Sequence, residues 1–315
     1  MVKITVGIPV KNSETTIAGC LKSVLNAELD KYDIEIIIVD GGSKDRTLEI
    51  VQRFLEDCDF EYRLFYDESR GIAYARQMIV DDAGGQYIAW VDSDNTVSND
   101  FFVKSLSVLE HFPDVGATHP MLVPMGSNHL AERLQIYYLR ARERNKSKQN
   151  KNSLRPLGMQ GTICRVKAIA GVGGFDLKLL AGEDIDLFMR MDEEGWKISL
   201  APTYVHYYVR GSWHDAFSQA IWWGYGRCQV STKYPGRMHR LIRFVNRRTG
   251  MLPIEYIADV LRTTITAAGI FGTSETLMIP IYYFYRRVGY FWGNKLAKRV
   301  CCREESTKKL NKNPE

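Results

Sequence analysis

The sequence predicts an α/β protein. A parallel sheet with helices on both faces is expected over the first hundred residues, and amphipathic helices in the last third. Three observations carry this. Strand-like and helix-like segments alternate through the first hundred residues. One of the strand-like runs, Ile34 to Val39, is almost continuously β-branched, the mark of a strand buried on both faces. Beyond residue 233 the pattern changes to long apolar stretches mixed with arginine and aromatic side chains.

Taken in order, Ile4 to Val10 is apolar and β-branched, and Asn12-Ser13 ends it. Helical spacing follows between Thr15 and Ala27, with Ile17, Leu21, Val24 and Leu25 on one face. After the second strand, Ser43 and Asp45 can cap a helix that turns Leu48, Val51, Phe54 and Leu55 inward. Tyr62 to Tyr66 reads as a third strand and Ile72 to Asp82 as a third helix. Gln86 to Val91 is a fourth strand, ending in Asp92-Ser93-Asp94. A helix is predicted over 129–144. The segment from Arg142 to Arg155 has six basic residues and almost no apolar ones, so a mobile loop is expected, either plainly solvated or a lid over an anionic substrate. Gly158 to Phe175 is rich in glycine. Glu183-Asp184 opens a helical pattern carried by Ile185, Leu187, Phe188 and Met191. Lys197 to Tyr208, which holds His206, reads as one or two short strands, and Ala216 to Tyr225 as an aromatic-rich helix leading to Arg227.

The last third reads as three helical stretches. Arg237 to Arg248 sets Met238, Leu241, Ile242 and Val245 on one face beside five arginines. Ile254 to Phe271 and Leu277 to Trp292 follow, the second aromatic throughout. Arginine mixed with aromatics suits a membrane–water interface, and a helical hairpin packed on the catalytic domain is the other reading. No apolar run reaches the roughly 18 residues a spanning helix needs; the nearest is cut by Pro280 and stopped by Arg286-Arg287. Residues 301–315 form a polar tail expected to lack regular structure.

Composition narrows the classes further. The 315 residues are 45% hydrophobic and 25% charged, enough to bury a sizeable core. A net charge of +5 is too small to point to nucleic acid. The six cysteines show no paired spacing, so reduced thiols are expected. The chain begins on a strand pattern, so no signal peptide is expected. There is no glycine-rich dinucleotide fingerprint, no P-loop, no His-Glu-x-x-His and no Gly-x-Ser-x-Gly elbow. The chemistry falls to acids, a histidine or two, and a metal.

The two carboxylates Asp92 and Asp94 stand at a strand end, where open α/β sheets bind ligands. At about 4 Å they repel by roughly 1 kcal/mol in water and about 4 near a protein surface. A hard divalent ion with open positions for a diphosphate would remove that cost. The alternative is a turn that caps the next helix through Asn99 or Asp100.

With these residues in place, the chain resembles a family 2 glycosyltransferase of the GT-A fold, over roughly residues 3–230. Val6-Gly-Ile-Pro-Val-Lys-Asn-Ser-Glu14 is similar to that family's first strand and loop, and Val39-Asp-Gly-Gly-Ser-Lys-Asp-Arg-Thr47 to its V-D-x-G-S-x-D-x-T motif. Gly71-Ile-Ala-Tyr-Ala-Arg76 matches the segment before the fourth strand, although Gln77 stands where the family often has Asn. Asp92-Ser-Asp94 occupies the D-x-D position, and Gly173-Gly-Phe-Asp176 with Gly182-Glu-Asp-Ile-Asp-Leu187 match the G-G-F-D and E-D motifs. The C-terminal third resembles only membrane-associated members.

The resemblance implies a Rossmann-like mixed or parallel sheet, with residues 1–98 as the nucleotide-binding half and 99–232 as the acceptor half. Residues 233–300 would form a membrane-association region. It implies that Pro9, Val10 and Glu14 line the base and ribose pocket, that Asp40 accepts a hydrogen bond from the base, and that Arg76, Asp92 and Ser93 complete the nucleotide site. Asp94 would bind Mn²⁺ or Mg²⁺, with His206 either a further ligand or a structural histidine. Asp184 would be the general base of an inverting displacement. Glu183 and Arg227 would serve phosphate or acceptor, Arg227 by gripping the leaving diphosphate. The implied activity is transfer from a UDP- or GDP-sugar to a lipid-linked saccharide or polyprenyl phosphate on the cytoplasmic face of an anionic membrane, with the enzyme peripheral to it. Two other classes stand beside it. A sugar nucleotidyltransferase would need a glycine-rich basic first loop, which Ile8-Pro9-Val10-Lys11-Asn12 does not supply. A non-catalytic membrane scaffold would not need Asp92, Asp94 and Asp184.

Overall fold

The computed structural model describes residues 1–56, 58–126, 129–147, 158–235 and 254–310. The basic stretch 237–248 and residues 148–155 of the charged segment lie outside them. In chain order the elements are β1 (Val2–Val10), α1 (Ile17–Leu25), β2 (Tyr32–Asp40), α2 (Thr47–Glu56), β3 (Glu61–Tyr66), α3 (Ile72–Asp82), β4 (Tyr87–Trp90), β5 (Asn95–Val97) and α4 (Phe101–His111). There follow β6 (Val115–Met125), α5 (Leu130–Ser147), β7 (Ile163–Arg165), α6 (Val166–Gly171), α7 (Glu183–Glu193), β8 (Lys197–Tyr208) and α8 (Trp213–Lys233). The last two helices are α9 (Ile254–Phe271) and α10 (Ile279–Leu310), with a short 3₁₀ turn at Ser274–Met278 between them. The chain forms two compact units, Met1–Val123 with Pro156–Tyr208, and Pro124–Arg155 with Val209–Glu315.

The first unit holds an eight-stranded sheet in the order β3-β2-β1-β4-β7-β6-β8-β5. The pairs β3–β2, β2–β1 and β1–β4 are parallel, and β4–β7, β6–β7 and β5–β8 are antiparallel. The sheet is therefore mixed, with the alternating strands and helices of the first hundred residues forming its parallel half. The two-residue period of β2 divides the core. Ile34, Ile36 and Ile38 pack with Ile17 and Leu21 of α1, Val51 of α2 and Phe101 and Leu106 of α4. Ile37 and Val39 face the other way, onto Ile79 of α3, Ile169 of α6 and Leu187 and Met191 of α7. Gly7 of β1 allows close approach on this second face, because an added Cβ would meet Ile79 at 2.7 Å and the Trp90 ring at 3.3 Å.

The second unit is helical, and its best-defined contact is α8 against α10. Small residues recur every fourth position on both: Ala216, Ala220, Gly224 and Cys228 on α8, and Gly289, Gly293 and Ala297 on α10, all buried. A Cβ on Gly224 would stand 2.8 Å from the Tyr290 Cα, and one on Gly293 would stand 2.7 Å from the Tyr225 amide nitrogen and closer still to the Ile221 carbonyl. The two backbones thus touch directly.

Three differences from the sequence reading have local causes. Residues 142–147 continue α5 rather than starting a loop, since Arg, Glu, Asn, Lys and Ser include no breaker. Pro280 lies in the first turn of α10, where its missing N–H costs nothing, so it opens that helix instead of cutting it. The polar tail stays helical as far as Leu310. Among the described residues no helix is long and apolar enough to cross a membrane, and Cys20, Cys58, Cys164 and Cys228 are free thiols.

Candidate active site

Parallel register brings the ends of β1, β2, β3 and β4 to one edge of the first unit. Val10 lies opposite Asp40, Asp40 opposite Tyr66, and Gly7 opposite Trp90. The loops leaving this edge are laced together by backbone-to-side-chain hydrogen bonds. The Asn12 amide donates to Ser43 Oγ at 2.9 Å, and the Lys44 amide returns to Asn12 Oδ1 at 2.8 Å. The Ser13 amide donates to Thr47 Oγ1 at 2.7 Å. The Glu14 amide donates to Asp45 Oδ2 and the Arg46 amide to Glu14 Oε2, each at 3.1 Å. Ser13 and Ser93 share a hydroxyl–hydroxyl bond of 2.7 Å, which ties in the loop after β4.

The predicted nucleotide residues thus fall together, and several also hold the loops. Pro9 and Val10 are the last residues of β1, and Asp40 is the last of β2. The Asp40 carboxylate accepts from the Gly42 amide at 3.0 Å and from Ser43 Oγ at 2.5 Å. Asp67, just past β3, went unremarked in the sequence. It is buried, its amide donates to the Asp40 carbonyl, and its Oδ1 accepts from the Ser69 amide at 2.7 Å. Glu68 and Ser69 take positive φ values of 52° and 63°. An Asp two residues before a Ser is the signal for such a turn.

Asp92 and Asp94 lie on the turn between β4 and β5, where the Asn95 amide donates to the Asp92 carbonyl. Arg76, on α3, is buried and bridges this turn to α7. Its Nη2 donates to Asp92 Oδ1 at 3.1 Å, and its Nη1 donates to Glu183 Oε1. Gly182, in the left-handed conformation at φ 80°, starts α7 and delivers Glu183 and Asp184 to the same place. Asp184 is half-buried, with its Oδ1 accepting from the Ile185 amide at 2.7 Å. Gln77 accepts from the Phe175 amide at 2.7 Å, so the position that departs from the family pattern anchors the Gly-Gly-Phe-Asp loop.

Three carboxylates thus act on one guanidinium. The Glu183 carboxyl is raised to about 7, chiefly by burial, with Arg76 opposing and Asp184 and Asp92 adding to the rise. Burial likewise raises Asp184, with Arg76 opposing and Asp92 adding. The donors at the β4 turn are hard oxygens, the set that suits Mg²⁺ or Mn²⁺, and a cation there would offset the excess negative charge. Among the described residues no three His, Cys, Asp or Glu side chains gather into a metal cage. His206 is half-buried on β8 opposite Thr96 of β5, and the Tyr208 amide donates to the Asp94 carbonyl at 3.0 Å, so both residues belong to this strand pair. Arg227 lies on α8, in the second unit.

Residues 5–168 match the family model described as glycosyl transferase family 2, and residues 87–292 match that of glycosyl transferase family group 2. The chain belongs to glycosyltransferase family 2. It is a transferase of GT-A fold, as its sequence motifs imply. Glycosyltransferase AglE of Haloferax volcanii is 25% identical over 232 residues, 72% of this chain and 73% of its own. Also 25% identical, over 320 residues covering 94% of this chain and 97% of the relative, is a Methanococcus voltae enzyme. That protein is the dolichyl N-acetyl-α-D-glucosaminyl phosphate 3-β-D-2,3-diacetamido-2,3-dideoxy-β-D-glucuronosyltransferase. Among solved structures, the mannosyltransferase PcManGT of Pyrobaculum calidifontis, in complex with GDP-Man and Mn²⁺, superposes with a TM-score of 0.59 at 17% identity, covering 94% of this chain and 86% of that one. TarS 1–349 of S. aureus, in complex with UDP, gives 0.52 at 16% identity, covering 95% and 91%.

Proposed function

We propose that this glycosyltransferase moves a sugar, with inversion, from a nucleotide-sugar donor to a lipid-linked saccharide or polyprenyl phosphate on the cytosolic side of a membrane. The observation that carries the reading is the cluster of Asp92, Glu183 and Asp184 around Arg76 at the carboxyl edge of the sheet. Asp184 is the general base. It takes the proton of an acceptor hydroxyl as that oxygen attacks the anomeric carbon, and the nucleoside diphosphate leaves from the opposite face. The raised pKa of Asp184 strengthens it as a base. Arg76 aims Asp92 and Glu183, while Pro9, Val10, Glu14, Asp40 and Ser93 form the wall for base and ribose. A Mn²⁺ or Mg²⁺ ion would be held by Asp94 beside Asp92, with His206 as a further ligand, and would compensate charge on the departing diphosphate. The Mn²⁺ and nucleotide sugar of the Pyrobaculum calidifontis mannosyltransferase support this use of the edge.

Hydrolysis of UDP-GlcNAc and of GDP-mannose, each with and without Mn²⁺, tests the reading. Turnover of one of them that depends on Mn²⁺ is expected, and none with either donor would reject it. Asp94→Ala should weaken Mn²⁺-dependent binding of the nucleoside diphosphate by about tenfold or more, the loss of one charged ligand. Calorimetry reads this, and unchanged affinity removes Asp94 from the metal site.

The acceptor side rests on the Methanococcus voltae relative, whose name gives a dolichyl N-acetyl-α-D-glucosaminyl phosphate substrate, and on the surface of the helical unit. Ile257, Leu261 and Ile265 repeat every fourth residue on α9 and are exposed, Ile265 by 71%. Ile281, Phe284, Phe291 and Trp292 are exposed on α10, alongside exposed Lys295, Lys298 and Arg299. An apolar face rimmed with basic residues fits an anionic bilayer surface. The full chain should float with anionic liposomes. High salt should weaken that binding without abolishing it, because buried apolar area is not screened. A chain that stays with the soluble fraction at low salt has no such surface role.

A further inference from the structure

Two consecutive residues of α3 reach across to the segment that carries Asp184. Arg76 does so through the Glu183 side chain at the start of α7. Gln77 does so through the backbone of the loop before α7. Its Oε1 accepts from the Phe175 amide at 2.7 Å, and its Nε2 donates to Asp81 Oδ1 at 2.6 Å, one turn along α3. A carboxylate accepts and an amide nitrogen donates, so Asp81 draws the donor end of the Gln77 amide to itself and turns the acceptor end toward the loop. The loop is shaped to meet it. Gly173 and Gly174 take φ values of 79° and 73° in succession, and a Cβ on Gly174 would stand 2.8 Å from Gln77 Nε2 and 2.9 Å from Gln77 Cδ. The buried Phe175 ring then meets Trp90, the last residue of β4, edge to face at 5.6 Å.

Both ends of this loop belong to α7. Arg190, in the last turn of α7, donates from Nη1 to the Val172 carbonyl at 2.5 Å. At the other end Gly182 opens α7, and Glu183 and Asp184 follow at once. Residues 172–182 are thus a strap running from one end of α7 to the other, and Gln77 pins that strap to α3. The Arg76–Glu183 pair fixes one point on α7 and leaves the helix free to turn about it. A second attachment, on the strap, fixes the direction in which the start of α7 faces, and a base needs its direction held to within about 10–20°. We propose that Gln77 is a positioning residue of the transfer reaction, which sets the orientation of Asp184 through the Phe175 amide and acts on the chemical step rather than on nucleotide binding. The inference rests on Asp184 being the general base.

Two measurements on the full chain test it: backbone amide exchange, and Mn²⁺-dependent hydrolysis of UDP-GlcNAc and GDP-mannose. Gln77→Met keeps the length of the side chain and offers only a weak acceptor. It should speed exchange at the Phe175 amide by about tenfold or more, and with it exchange at the Ile185 amide, whose acceptor is Asp184 Oδ1. Hydrolytic kcat should fall by about tenfold, while affinity for UDP or GDP holds within about twofold. Gln77→Glu combined with Asp81→Asn exchanges acceptor and donor, so both hydrogen bonds can form again. That pair should return exchange and kcat to within about threefold of the original, which a general loss of stability would not do. Asp81→Ala leaves Gln77 in place and frees its amide to turn; it should give a smaller change of the same kind, and it carries the test if Gln77→Met does not fold. Faster exchange at Phe175 with Ile185 exchange and kcat unchanged would overturn the proposal and leave Gln77 a loop anchor. So would a fall in kcat matched by an equal fall in nucleotide affinity, or a folded double variant no better than Gln77→Met. If the unmodified chain hydrolyses neither donor, the donor reading fails, and Ile185 exchange alone decides whether Gln77 holds Asp184.

Discussion

Replacing Asp184 with asparagine should lower sugar transfer by about 10²–10⁴-fold, the usual contribution of a positioned general base. Donor affinity should hold within about threefold, because a base acts only once the acceptor hydroxyl arrives. The substitution keeps the shape and the hydrogen bond from the Ile185 amide, so the start of α7 should stay formed. It also removes one of the negative charges acting on Glu183, whose carboxyl should then titrate lower than it does beside Asp184. Transfer is read with radiolabelled donor and donor affinity by calorimetry. Transfer within a few-fold of the unmodified enzyme would take Asp184 out of the chemistry.

Gly293→Leu should destabilise the helical unit by about 3 kcal/mol or more, an overpacking cost that the surroundings have no means to relieve. The atoms in the way belong to the Ile221 and Tyr225 backbone of α8, not to a side chain that could swing aside. Gly269 on α9 is the control. A Cβ there meets nothing within 4 Å, so Gly269→Ala should be neutral or stabilising by up to about 1 kcal/mol. Urea unfolding followed by tryptophan fluorescence compares the two. Equal midpoints would mean that α8 and α10 do not depend on this contact.

The central strands were readable because burial on both faces leaves a run such as Ile36-Ile37-Ile38-Val39 with no polar interruption. The β6 strand was not. Val115 to Met125 contains Gly116, His119, Pro120 and Pro124 and lacks an alternating pattern, so nothing local marks it. Helix α4 entered only as the helix that Asn99 or Asp100 would cap; Asp100 does stand at its N-terminus, and Phe101, Phe102, Leu106 and Leu109 are wholly buried along it. At the site, the carboxylates Asp92, Asp94 and Asp184 were visible as acids at a strand end and a helix start. What joins them was hidden. The Arg76–Glu183 pair spans 107 positions and the Ser13–Ser93 bond spans 80, and no spacing rule announces contacts made by folding itself. Gln77 read as a minor departure because its partner, the Phe175 amide, lies 98 residues away.

The small-residue stripe between α8 and α10 has a consequence for the surroundings in which the helical unit can work. Most helix pairs in globular proteins are held by expelling water from between side chains, and that force vanishes in oil, where the tails are as apolar as leucine. Contact between two backbones draws on dispersion at close range, which is as available in hydrocarbon as in water. A pair fastened this way keeps its cohesion when the medium on its outer side changes. The geometry of the pair is therefore expected to stay fixed whether water or hydrocarbon wets the outer side of the helical unit.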